Sequence, residues 1–400
     1  MWAGPAENCR RVSVRPGEPA WMLAQGAFCR DNEMDAPDFA ASKYQTGSLQ
    51  YVLKMRSVHM KVSTLGIDLA KNVFQLHGVD HEGHTVLRKK LTRAKFVQFV
   101  IQLEPCLIGM EACSSSHHFA RLFSLHGHEV KLIPPQYVKP YVKTNKTDAA
   151  DAEAICEAVT RPNMRFVQIK TEEQQAVLAL HTERGILIRE RIACSNSLRA
   201  TLAEFGITIA AGQSHLTREL PAILEDGENG LSPFVRTSIY RQAHHIRELE
   251  EQVKQVEEAL ASWYRTQEAC KRMAKIPGVG MLTATYVVAA VGNARQFSTA
   301  KQFASWLGLT PKEHSSGGKQ QLGGISKRGD GYFRYLLVHG ARALTAWVNR
   351  KGSVEENAWL QGLLERKHYN VAVVAMAAKT SRIMWSMLTR NTEYQPRQPA

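Results

Sequence analysis

From Val62 onward the chain falls into short runs of alternating or wholly apolar residues, which are separated by turn-forming clusters. VSTLGI, VFQLHGV and TVLRKKL read as three consecutive strands, with DHEG at 80–83 as the turn between the second and third. A helical stretch follows, AKFVQFVIQL, and then the apolar run CLIGM, a helix through HHFARLFSLHG, the strand EVKLI and a helix that starts near Asp148.

That order, βββαβαβα over residues 60–170, is the order of a ribonuclease-H-like α/β domain with helices on the faces of its sheet. Residues 171–268 change to a 3.6-residue period. Within them Ile246, Leu249, Val253, Val256, Leu260 and Trp263 recur at spacings of 3, 4, 3, 4 and 3, a heptad seam flanked by charge. The seam fits a helical coiled-coil arm that carries an oligomer contact, and equally a helix packed on its own domain. Residues 269–390 read as an all-α C-terminal domain that opens at KIPGVGMLTATYVVAAVG. Pro277, Gly278 and Gly280 there form a tight turn between helices, the helix-hairpin-helix form that offers backbone N–H groups to phosphate. Residues 1–59 show no sustained period and are expected to be a poorly ordered extension, with translation starting at Met60; residues 391–400 are a tail.

Composition narrows the partners. The net charge is +14, and residues 311–400 hold 14 Lys and Arg against 6 Asp and Glu, so the basic excess concentrates where a phosphate-facing surface would lie. Seven cysteines form no CxxC pair and no disulfide framework, which fits a reducing cytoplasm and argues against zinc ribbons. No uninterrupted apolar run reaches the roughly 18 residues of a membrane span. VAVVAMAAKTSRIMWSML, broken by Lys379 and Arg382, reads as a packed helix.

The chemistry lies in four carboxylates. Asp68 in LGIDLAK and Glu111 in LIGMEAC sit where apolar runs stop, and Asp148 and Asp151 open a helix three residues apart, on one face. In a ribonuclease-H-like sheet the first and fourth strands end side by side, so the 42 positions between Asp68 and Glu111 are no obstacle. Four hard oxygen ligands meeting there suit Mg²⁺, with Mn²⁺ as the alternative, and two such ions serve in-line displacement at phosphate. Taken singly, each residue is as well explained by turn formation or helix capping. A second constellation spans GLTPKEHSSGGKQQLGGISKRGDGYFR at 308–334, where glycines allow close backbone approach and Lys319, Lys327 and Arg328 supply counter-charge. Ser315 and Ser316 lie in it, in what reads as a flexible loop.

MKVSTLGIDLAKNVFQLHGVD, GMEAC, NKTDAADAEAICEAV, IPGVGMLTATYVVAAVG, FASWLGLTP, SSGGKQQLGGISKRGDGYFRYLLVHGARA and AAKTSRIMWSML, in this order and spacing, resemble one family. It is the DEDD transposases of bacterial insertion sequences, the family numbered one hundred and ten, with subgroup eleven-eleven most similar and Piv-type DNA invertases as relatives. The resemblance covers about residues 60–390. It implies a RuvC-like nuclease fold for the ribonuclease-H-like domain, that Asp68, Glu111, Asp148 and Asp151 are the metal quartet and that Ser316, with Ser315 as the fallback, attacks DNA. It further implies a structured guide RNA from the element's ends, double-stranded DNA at element ends and target, a homo-oligomer (dimer or tetramer), and nucleoid association. Ser114 stands where many relatives have Gly, and His117 and His118 have no catalytic counterpart. Two rival readings stay open: a junction-resolving nuclease that uses water, and an inactive nucleic-acid-binding descendant.

Overall fold

The structure is a computed structural model that describes residues 61–143, 147–351 and 358–396. The expected extension at 1–59, the expected start at Met60 and residues 397–400 of the expected tail lie outside the described residues.

The strands β1 (Thr64–Asp68), β2 (Val73–Val79) and β3 (Thr85–Thr92) lead through α1 (Arg93–Ile101) to β4 (Leu107–Glu111), α2 (Ser116–Leu125) and β5 (Glu129–Ile133). They form one mixed sheet in the order β3-β2-β1-β4-β5, antiparallel from β3 to β1 and parallel from β1 to β5. The foreseen element order is therefore present. The hairpin at 80–83 closes because the Asp80 carboxylate accepts the backbone N–H groups of Glu82 and His84 at 3.0 and 2.9 Å.

Central β1 is covered on both faces, as its nearly continuous apolar sequence requires. Leu65 and Ile67 pack with Phe74, Phe96, Phe119 and Phe123 under α1 and α2. Phe74 and Phe96 stack at 4.1 Å and Phe119 meets Phe96 edge-on at 5.2 Å, a geometry that adds about 1 kcal/mol per pair beyond burial. The opposite face carries α4 (Asp148–Val159), reached through the short α3 (Pro135–Val138) and a 3₁₀ turn at Lys139–Tyr141.

Two long helices follow, α5 (Glu172–Ala203) and α7 (Pro233–Thr266), joined through α6 (Gln213–Glu225). A reciprocal cap starts α5: the Thr171 hydroxyl accepts the Gln174 N–H at 3.1 Å, and the Gln174 side chain accepts the Thr171 N–H at 3.0 Å. Five seam positions, Ile246, Leu249, Val253, Val256 and Leu260, are buried. Leu249, Val253, Val256 and Leu260 pack with Val177 and Leu187 of α5 in the same chain. Trp263, half-buried, donates its Nε1–H to Glu173 at 2.6 Å.

The remaining elements are α8 (Glu268–Ala274), α9 (Met281–Val291), α10 (Ala300–Trp306), β6 (Pro311–Glu313), β7 (Leu322–Ile325), α11 (Gly331–Lys351), α12 (Ala358–Leu364) and α13 (Tyr369–Arg390). Among the described residues the C-terminal part is thus helical apart from one two-stranded hairpin, which the all-α expectation lacked. Apolar all round, α9 is buried, and its Ala289 joins the core between α5 and α7. By length and composition α13 could cross a bilayer, but Val373, Met376, Ala377, Met384 and Met387 are buried in the C-terminal core, as the packed-helix reading expects.

A polar seam joins α5, α9 and α11. His181, 1% exposed, lies 3.0 Å from the Thr285 hydroxyl and 3.3 Å from that of Tyr332. Burial, and then the charge of Arg184, lower its pKa from 6.5 to about 4. The native ring therefore stays neutral while the unfolded chain takes up a proton, so stability is complete above pH 6.5 and is lost as pH falls toward about 4. His181→Gln should flatten this part of the thermal-midpoint profile relative to the parent. Identical profiles between pH 6.5 and 4 would remove His181 as the cause.

Candidate active site

Asp68 and Glu111 are the last residues of β1 and β4. These strands pair in parallel with Gly66 opposite Gly109 and Ile67 opposite Met110, so the two carboxylates leave the sheet side by side. Strand alternation puts them on the face of Gly66 and Gly109. That face has no side chains at these two positions, and α4 lies directly on it. A Cβ at Gly66 would strike the Ala152 carbonyl and come within 2.5 Å of the Cys156 nitrogen, and one at Gly109 would lie 2.8 Å from Val159 Cβ.

The direction of α4 completes the arrangement. The Cys156 thiol donates to the Thr64 carbonyl at 3.6 Å, so the later turns of the helix lie over the strand starts and its first turn over the strand ends. Asp148 and Asp151 are in that first turn, which Thr147 caps by accepting the Ala150 N–H at 3.2 Å. Asp148 is exposed; Asp68, Glu111 and Asp151 are half-buried. Charge agrees with placement, because burial and then the negative charges of Glu111 and Asp68 push the Cys113 thiol pKa up. All four sequence-identified carboxylates thus gather at one end of the sheet.

The donor set fits a divalent cation such as Mg²⁺, since it offers carboxylate oxygens from three elements. Among the described residues, the one group of three whose ligand atoms lie within 4.8 Å of one another is Asp80, Glu82 and His84 in the β2–β3 turn. The sequence had not singled it out, and Asp80 there is already engaged in closing the turn. No three ligand atoms of the quartet lie that close together.

Comparison with known proteins shows the family of the chain. Residues 65–207 match the DEDD transposase model of IS110, and residues 270–354 match the model described as Transposase IS116/IS110/IS902 family. A "Probable family 20 transposase" of Pseudomonas aeruginosa is 46% identical over 84% of this chain and 100% of the relative. The transposase for insertion sequence element IS1111A of Coxiella burnetii is 43% identical over 86% of this chain and 94% of the relative. This chain belongs to the IS110 family of transposases. The pilin gene-inverting protein of Moraxella bovis is a more distant relative, 23% identical over 64% of this chain and 75% of its own length.

In the transposase, the serines expected in a flexible loop lie instead on a β-hairpin. Strands β6 and β7 pair antiparallel, and the turn Ser316-Gly317-Gly318-Lys319 closes with the Lys319 N–H on the Ser316 carbonyl at 3.0 Å. Gly317 and Gly318 both take left-handed φ, 56° and 74°, which a tight two-residue hairpin turn demands. The Ser315 hydroxyl donates to Glu313 at 2.7 Å, and with Gln320 it lowers the Glu313 pKa. Ser316, at the exposed tip, makes no side-chain hydrogen bond among the described residues.

Lys319, Lys327 and Arg328 are exposed on the hairpin and its stem. The stem is tied back by the Lys327 N–H on the Gly308 carbonyl at 3.1 Å and by Arg334 on the Arg328 carbonyl at 3.1 Å. The turn with Gly278 and Gly280 does join two helices, α8 and α9. Gly278 has φ of 82°, and its missing Cβ would lie 2.8 Å from the Gly340 carbonyl, so close packing on α11 also demands glycine there.

One group escaped sequence reasoning. His117, read above as having no catalytic counterpart, receives the Lys170 backbone N–H at Nδ1, 3.2 Å, and meets the Lys170 amine at Nε2, also 3.2 Å. Arg121 donates to the Lys170 carbonyl at 2.7 Å. Burial lowers the Lys170 pKa, and the charge of Asp330, just beyond the hairpin stem, opposes that. No local sequence signal marks this junction between the sheet and the C-terminal helices.

The glycine contact generates a test that alters no charged group. Gly66→Ala should displace α4, destabilise the protein by about 3 kcal/mol and suppress strand cleavage far below the level explained by unfolding. Denaturation curves and cleavage assays at a temperature where the variant stays folded check this; full cleavage would refute the dependence on the close contact.

Proposed function

We propose that this transposase cuts and rejoins DNA with two half-sites on one chain. The N-terminal part is read as a RuvC-like nuclease domain in which Asp68, Glu111, Asp148 and Asp151 hold Mg²⁺. When bound, the metal supplies charge neutralisation and polarisation at the scissile phosphate. Ser316 is the nucleophile: its oxygen attacks phosphorus, a DNA oxygen leaves, and the phosphodiester is conserved as a phosphoserine link, so resealing needs no ATP. Lys319, Lys327 and Arg328 balance charge on the phosphate, and the backbone at Gly278 and Gly280 meets a second stretch of DNA backbone.

The observation that carries this reading is the gathering of the four carboxylates where α4 crosses the ends of β1 and β4. Ser316 is favoured over Ser315 because the Ser315 hydroxyl is engaged within the hairpin. Guidance by a structured RNA of the element, action as a dimer or tetramer and association with the nucleoid are carried by the family resemblance, and the basic C-terminal part is compatible with them.

Incubation with element-end DNA and Mg²⁺, quenched in denaturant, should trap a protein–DNA adduct that disappears in Ser316→Ala. Asp68→Ala and Asp151→Ala should lose cleavage by at least about 100-fold with nucleic-acid binding nearly unchanged. Metal-dependent cutting that survives Ser316→Ala would favour a water nucleophile, as in a junction resolvase.

A further inference from the structure

Between the chain leaving α4, at Pro162–Gln168, and the turn leaving α9, at Arg295–Gln302, lies a cleft of about 690 Å³. Its lining contains Arg165, Arg295, Asn163, Ser298 and Gln302, and no Asp or Glu. Arg161, just before the cleft, is closed onto Glu157 at 2.6 Å. Arg165 and Arg295, by contrast, are exposed and form no ion pair among the described residues. Two guanidinium groups on a wall without acids make a place for phosphate, and side-chain amides beside them offer the paired donor and acceptor that reads the edge of a base.

The cleft is pre-formed. One wall is fixed to the sheet by the Val167 N–H on the Leu132 carbonyl at 2.7 Å. The other is fixed to α13 by the Trp385 indole on the Phe297 carbonyl at 3.0 Å, and the Gln168 N–H joins the two walls through Gln296 Oε1 at 2.8 Å. Gln168 Oε1 is buried against Gly292, so this end of the wall is closely packed. The volume falls in the range of about 300–1,000 Å³ of small-ligand sites, enough for an unpaired nucleotide and too little for a duplex.

We propose that this cleft binds an unpaired nucleotide of a nucleic-acid strand, with the phosphate on Arg165 and Arg295 and the base edge on Asn163 and Gln302. The inference rests on the nucleic-acid side of the reading above and not on the serine chemistry. It places a strand contact on the line where the sheet meets the C-terminal helices, in a lining that contains no residue of the Ser316 hairpin.

The test uses the full-length protein and two photo-crosslinking probes, a single-stranded RNA carrying thiouridine and a single-stranded DNA of the same sequence carrying thiothymidine. Crosslinked peptides from 162–168 or 295–302 are expected. Arg165→Glu with Arg295→Glu should weaken binding of the captured probe about tenfold and lower the salt slope by roughly 0.7, the share of one phosphate of a single strand. Arg165→Gln with Arg295→Gln, checked by circular dichroism, provides the same reading if charge reversal disturbs folding. Capture of RNA alone identifies the occupant as a guide strand and capture of DNA alone as a displaced strand; both support the site. Absence of crosslinks in both segments with both probes, or unchanged affinity and salt slope in the variants, overturns it. Binding needs no cleavage, so an inert Ser316 leaves this result intact, and an active enzyme without capture refutes the cleft alone.

Discussion

The contact of two backbones at Gly66 and Gly109 sets the position of everything else at the carboxylate end. Because these glycines face each other on adjacent strands, α4 descends onto the sheet until its own backbone, at Ala152 and Cys156, meets β1. That depth brings Asp148 and Asp151 level with the ends of β1 and β4. The outer side of α4 contributes less: Glu153 and Glu157 pair with Arg88, Lys143 and Arg161, but such exposed pairs are worth at most about 1 kcal/mol each. Burial of Ile155 and Val159 against Ile133 and Val138 contributes roughly 2 kcal/mol per side chain, so packing on the inner face determines where the helix sits.

The hairpin that carries Ser316 is exposed, but its base is rigid. Asp330 caps α11 by accepting the Phe333 N–H at 2.9 Å and receives the Tyr286 hydroxyl at 2.7 Å. The same carboxylate acts on Lys170, which His117 and Arg121 hold to α2, near the strand ends. The sheet and the C-terminal helices therefore meet through fixed polar contacts, while the serine tip projects beyond them. In the proposed reading, a half-site on the sheet and a half-site on the projecting hairpin suit a reaction in which strands are cut and rejoined.

Much of this was legible in the sequence because it is local. Alternating apolar runs gave the strands, and the places where the runs stop gave Asp68 and Glu111. The acidic pair Asp148 and Asp151 announced the first turn of α4. The role of Gly66 and Gly109 was not legible, because it belongs to a helix some 40 to 90 residues away. The hairpin was read as a loop because its strands are three and four residues long and exposed, without a buried alternation to reveal them. Its Gly-Gly pair, read as a phosphate approach, is also a hairpin signal. The Lys170 junction draws on residues from His117 to Asp330, a span no periodicity can register.

The account turns on the strand ends, and not the β2–β3 turn, being the place where a divalent ion binds. Anomalous diffraction from crystals of the full chain grown with Mn²⁺ and element-end DNA locates that ion directly. The account predicts anomalous density bounded by Asp68, Glu111 and the first turn of α4. Density at Asp80, Glu82 and His84 with none at the strand ends would contradict it.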